Sequence, residues 1–124
     1  MIDRKKVFIS GPMTGLPNNN VAAFLEAELK LKEAGFSVFN PAMFRVLEGF
    51  TESEIMDIDL EALKHCNYIY QLIGWENSEG ANVEWAYAKK CGIDVVNHSW
   101  LEWYVNQMRK TDYDPSMVTF GMVS

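Results

Sequence analysis

Three observations predict an α/β domain of three layers. Short apolar strand segments alternate with amphipathic helical ones, turn-forming runs of Gly, Pro and Asn separate them, and the length suits one domain. The chain has 124 residues, 48% of them apolar and 13% aromatic, which supports one core and leaves little for a second. We therefore expect a single domain over residues 1–124. Its parallel sheet of four or five strands should carry helices on both faces, because strand–helix alternation gives parallel pairing.

Val7–Ser10 reads as a strand, followed by a turn-rich run to Asn20. Val21, Phe24, Ala27, Leu31 and Ala34 share one helical face, predicting a helix over Val21–Ala34 that Gly35 stops. Phe36–Phe39 is the second strand, closed by Asn40-Pro41, and residues 42–50 carry no clear pattern. Thr51 and Glu54 fit a capping box, opening a helix that runs to about Cys66. Tyr68–Ile73 is the third strand, Gly74–Asn77 a loop, and Ser78 the N-cap of a helix reaching Cys91, with Gly92 ending it. Ile93–Val96 is the fourth strand, and Ser99 caps a last helix to about Arg109. This is a flavodoxin- or Rossmann-like order of elements, in which ligands sit beyond the carboxyl ends of the strands. The loops to watch are then Ser10–Asn20, Asn40–Phe44, Gly74–Asn82 and Asn97–Ser99.

Charge narrows the partners. A net charge of −6 and a pI near 4.8 argue against binding a nucleic acid polymer through a basic patch. A small phosphorylated ligand stays open, because backbone amides can hold a phosphate. Val7–Ile9 is too short an apolar run for a signal peptide or a membrane span. Cys66 and Cys91 have neither a metal-ligand nor a CxxC spacing. The expectation is a cytoplasmic protein, or one in host cytoplasm if viral, with no membrane contact and reduced thiols.

Two carboxylates fall where apolar residues belong. On a helical wheel, Ile55, Ile58, Ala62, Leu63 and Cys66 form the apolar stripe of the second predicted helix, and Asp59 lies inside it. A buried carboxylate is costly without a partner, so the position needs a reason; one is solvation at the helix's open end. In the next helix Ala81, Ala88 and Cys91 form a face of small residues around Glu84, near the helix start. Stabilisation by the positive end of the helix is the simplest account of that glutamate. Two inward carboxylates at neighbouring strand ends also suit acid–base or nucleophilic work on a sugar, or a divalent metal. The run Ser10-Gly11-Pro12-Met13-Thr14-Gly15 is neither a dinucleotide fingerprint nor a P-loop, although its glycines allow close backbone approach. Nothing in the sequence calls for a cofactor or a resident metal.

Taken together, three segments resemble the nucleoside 2-deoxyribosyltransferase superfamily. They are Val7–Gly15, Asp59–Leu63 with Cys66-Asn67, and Gly74-Trp75-Glu76-Asn77-Ser78-Glu79-Gly80-Ala81-Asn82-Val83-Glu84. The likeness spans roughly Val7–Val96 and is greatest to small phage and bacterial members near the deoxynucleoside monophosphate N-glycosidases. It implies that Glu84 attacks C1′ and displaces the base, with Asp59 assisting; a second base or water then resolves the deoxyribosyl–enzyme. It also implies that Ser78, six residues before Glu84, and Gly80 support a 5′-phosphate, beside the first loop from Ser10 to Gly15. Pro12 and Thr14 depart from the monophosphate enzymes, which carry a hydroxyl and an arginine thereabouts, and Phe8 stands for the usual aromatic. Trp75 is a candidate to stack on base or ribose.

The resemblance further implies a homo-oligomer, dimer or larger, in which a neighbour's C-terminal segment completes the site. The apolar tail within 111–124 fits an interface. The substrate expected is a small nucleoside or nucleotide, cleaved or transferred at its N-glycosidic bond. The alternatives are a non-catalytic module for a nucleotide or ADP-ribose-like ligand and, third, a metal-dependent enzyme with Asp59 and Glu84 as ligands. His65 and His98 receive no role, and Trp100, Trp103 and Tyr104 are expected to pack the last helix.

Overall fold

The structure, a computed structural model, describes residues 4–44 and 47–112. Four strands, β1 (Lys6–Ser10), β2 (Ser37–Phe39), β3 (Tyr68–Gln71) and β4 (Asp94–Val96), alternate with helices α1 (Val21–Glu33), α2 (Glu52–Lys64), α3 (Glu79–Lys90) and α4 (His98–Asp112). The strands form one parallel sheet in the order β2-β1-β3-β4. The expected parallel α/β sheet is thus present, with four strands among the described residues. The tail expected at an interface lies, from residue 113 onward, outside the described residues.

Side-chain alternation along β1 divides the core. Val7 and Ile9 pack with Phe24, Ala27 and Leu31 of α1 and Leu101 of α4. Phe8 points the other way and packs with Leu63 of α2, Ile69 and Ala88 of α3. Helices α1 and α4 therefore cover one face and α2 and α3 the other. By the same period of two, Ser10 lies on the Phe8 face, beneath α2 and α3. Trp100 and Tyr104 pack against Phe36, as expected for the last helix, whereas Trp103 is exposed. Among the described residues no helix is long and apolar enough to cross a membrane.

Two strands begin one residue later than their apolar patterns suggest, for one reason. Gly35 and Gly92 sit at positive φ (102° and 73°) just past α1 and α3. The following amides, Phe36 N and Ile93 N, donate back to Leu31 O and Ala88 O at 3.1 and 2.9 Å. These bonds, with those of the glycine amides to Lys32 O and Lys89 O, complete Schellman motifs. The first apolar residue of each predicted strand is thus engaged by the preceding helix, and pairing starts at Ser37 and Asp94. The third strand ends at Gln71: Leu72 N gives the last ladder bond, to Ser10 O (2.8 Å), and the chain then turns, with Trp75 N closing on Leu72 O (3.2 Å).

The caps follow the sequence with one correction. Thr51 Oγ1 accepts from Glu54 N at 3.0 Å while Glu54 Oε1 accepts from Thr51 N at 2.8 Å, a complete capping box. Ser78 Oγ accepts from Ala81 N at 3.1 Å at the start of α3. Ser99, expected to cap the last helix, lies inside α4; Asn97 takes that place, its Oδ1 accepting from Trp100 N at 3.1 Å. Asn97 stands three residues before its amide, the reach a cap side chain needs.

The two thiols have opposite environments. Burial pushes the Cys66 thiol up to about 11, while Cys91 is exposed. At pH 8 only on the order of one Cys66 in a thousand is then the nucleophilic thiolate. Iodoacetamide at that pH should label Cys91 and spare Cys66 in the folded protein, with both labelled in denaturant. Peptide mass mapping checks this; equal labelling in the native state would contradict the packing of α2 on the sheet.

Candidate functional site

The chain leaves β1 for α1 and β2 on one side and returns to β3 on the other, so its direction switches between β1 and β3. Crevices at such switch points, beyond the carboxyl ends of the strands, are where open α/β sheets hold ligands. A cavity of about 450 Å³ lies there, walled by the first loop, α2 and the start of α3. It falls within the range of small-molecule sites, roughly 300–1,000 Å³.

Both unexpected carboxylates open into this cavity. Asp59, in the middle of α2, and Glu84, in the second turn of α3, are each 6% exposed and line it together. Each sits on its helix's sheet-facing side, Asp59 in line with buried Ile55 and Leu63, and Glu84 with buried Ala81 and Ala88. Small Ala81 and Ala88 bring α3 close to the sheet, and Ser10 Oγ at the end of β1 donates to Glu84 Oε1 at 2.6 Å. Ser10 is fully buried, so its hydroxyl faces the glutamate and not the cavity.

Only part of the first loop lines the cavity. Gly11, Pro12, Met13 and Thr14 line the carboxylate cavity, whereas Gly15 lies in the turn beyond it. The need for glycine at position 11 comes from packing: a Cβ there would stand 2.7 Å from Leu72 Cβ. Asn18, Asn19 and Asn20 all hold positive φ, and Asn20 Nδ2 ties the loop back to Pro12 O at 2.9 Å. Asparagine tolerates that region better than other residues with a side chain, which explains the Asn run.

Ser78 and Gly80 line the same cavity at the positive end of α3, and Gly80 lets that end approach Met56 of α2, whose Cε would lie 3.4 Å from an added Cβ. Trp75 is not brought to the carboxylates. It faces a second cavity, of about 820 Å³ on the α1 and α4 side, and packs on Trp85 with ring centroids 5.4 Å apart.

Three features escaped the sequence. Asn82 Nδ2 donates to Ser78 O and Glu76 O at 2.8 and 2.9 Å, pinning the loop that leads into α3. Gln71 is the register partner of Ser10 at the switch point, and its Nε2 is buried with no hydrogen-bond partner among the described residues. A polar residue ending the apolar run Tyr68-Ile69-Tyr70 was the available signal for it. Third, Glu52 and Glu79 join Asp59 and Glu84 around the cavity, and no Lys, Arg or His lines it among the described residues. The described residues contain no group of three or more His, Cys, Asp or Glu side chains placed to hold a metal ion.

A family model matches residues 5–97, from the start of the sheet through β4. The chain belongs to the DUF4406 family, described as a domain of unknown function. No curated protein matches it by sequence. Among solved structures, the DUF4406 chain is similar to a 2-desoxiribosyltransferase from Leishmania mexicana, at 18% identity and a TM-score of 0.60. The match covers 75% of this chain and 63% of that protein. The DUF4406 domain thus has the deoxyribosyltransferase fold, as its sequence motifs implied. Identity this low carries the fold and leaves the chemistry to be argued from the site.

Proposed function

We propose that this domain breaks, or transfers across, the N-glycosidic bond of a 2′-deoxynucleoside. The observation that carries the reading is the convergence of Glu84 and Asp59, both buried, in one nucleoside-sized cavity at the switch point of the sheet. Glu84 donates an electron pair to C1′ as the C1′–N bond breaks, and the bond's electrons leave with the base. A proton from Asp59, or from a water it holds, neutralises the leaving nitrogen. Water or a second base then attacks C1′, returns its proton to the site and frees the Glu84 carboxylate. A carboxylate nucleophile splits one difficult displacement into two through an oxocarbenium-like transition state.

The charge around the cavity favours an uncharged nucleoside over its 5′-monophosphate. A phosphate dianion would meet Glu52, Asp59, Glu79 and Glu84, offset only by the α3 amides near Ser78 and Gly80. The same acidic surroundings suit a sugar that gains positive charge in the transition state.

A panel of deoxynucleosides and 5′-monophosphates, each with and without an added free base, tests both statements. Chromatography should show base release or exchange from the unphosphorylated substrates first. Turnover of monophosphates alone would overturn the charge argument. No turnover of any member by folded protein would overturn the enzymatic reading in favour of a binding module.

A further inference from the structure

We infer that Ser10 is the positioning residue of Glu84, holding its carboxylate in place for the attack on C1′. The inference rests on the glycosyl-transfer reading above and adds to it the device that fixes the nucleophile. Three observations carry it. Ser10 Oγ donates to Glu84 Oε1 at 2.6 Å, the short contact expected of a hydroxyl on an ionised carboxylate. Ser10 is 0% exposed, so it has no surface for a substrate, and a hydroxyl has a single proton to give. Its backbone is held on the neighbouring strand: it pairs with Gln71 in the β1–β3 ladder and accepts from Leu72 N at 2.8 Å.

A glutamate reaches its carboxylate through three rotatable bonds, and an untethered one spends much of its time out of line with C1′. Tying Oε1 to the last residue of a central strand removes that freedom before substrate arrives, and such preorganisation raises the rate without adding a substrate contact. The neighbouring Gly11 contributes rigidity, since β1 leaves the sheet in close contact with Leu72, where a Cβ would stand 2.7 Å from Leu72 Cβ. A hydroxyl on the face that Phe8 otherwise makes apolar is explained by this pairing.

The test uses the full chain with Ser10→Ala, Ser10→Thr and Glu84→Gln. Loss of one hydrogen bond to a charged group predicts a kcat roughly tenfold to hundredfold lower in Ser10→Ala. KM for the nucleoside should be unchanged, and Ser10→Thr should recover most of the loss. A wild-type kcat in Ser10→Ala, a rise in KM alone, or no rescue by a folded Ser10→Thr would overturn the inference. A second readout needs no turnover: the ¹³C carboxyl resonance of Glu84, assigned by its loss in Glu84→Gln. Removing a donor to the charged form should make it titrate at higher pH in Ser10→Ala than in wild type. Glu52 and Asp59 on α2 and Glu79 on α3 are common to both proteins, so the difference reports Ser10. Identical titration overturns the pairing, whereas a shifted titration in a protein that releases no base overturns only the glycosyl-transfer reading.

Discussion

Glu84→Gln should lower base release by on the order of 10⁴-fold or more, the scale of removing a nucleophile. The substitution keeps the side chain's length and an Oε1 able to accept from Ser10, so the fold and the cavity are preserved. An amide oxygen is a poor nucleophile and carries no charge to set against an oxocarbenium-like sugar. Nucleoside affinity, read by calorimetry, should stay near wild type. The melting temperature should not fall, because the substitution removes the charge of one of the two buried carboxylates among the four that line the cavity. Wild-type turnover in Glu84→Gln would remove the residue from the chemistry.

Asp59→Asn should cost about 10²- to 10⁴-fold in kcat, the usual worth of a general acid–base group. The effect should depend on the leaving group. A base that must be protonated to depart feels the full loss, whereas a deoxyriboside with a good leaving group, stable as an anion, feels little. Equal losses for both would make Asp59 a positioning residue. Its place in the middle of α2, buried between Ile55 and Leu63, gives Asn the same volume and backbone, so stability should be nearly unchanged.

The periodicities reveal the carboxylates because each breaks a local rule: Asp59 interrupts an apolar stripe and Glu84 stands among small residues. Rules of that kind work within one helix, where a residue's face follows from its position. The pairing of Ser10 with Glu84 joins residues 74 apart in sequence, and only the closed sheet brings them together. The same limit applies to Trp75, whose side of the sheet depends on the turn after Gln71. The strands begin after Phe36 and Ile93, and not at them as the apolar pattern suggests, because the amide a strand would use already caps a helix. Glu52 and Glu79 stand in the first turns of α2 and α3, where the helix dipole favours acids, and their place as walls of an acidic cavity comes from the meeting of α2 with α3.

The covalent intermediate is the most direct test of the central claim. Wild-type protein mixed with a turned-over deoxynucleoside, quenched in acid and digested, should carry one deoxyribosyl mass on the peptide containing Glu84. The same peptide from Glu84→Gln should carry none. Base release with no adduct on Glu84, or with the adduct on another residue, would contradict the account.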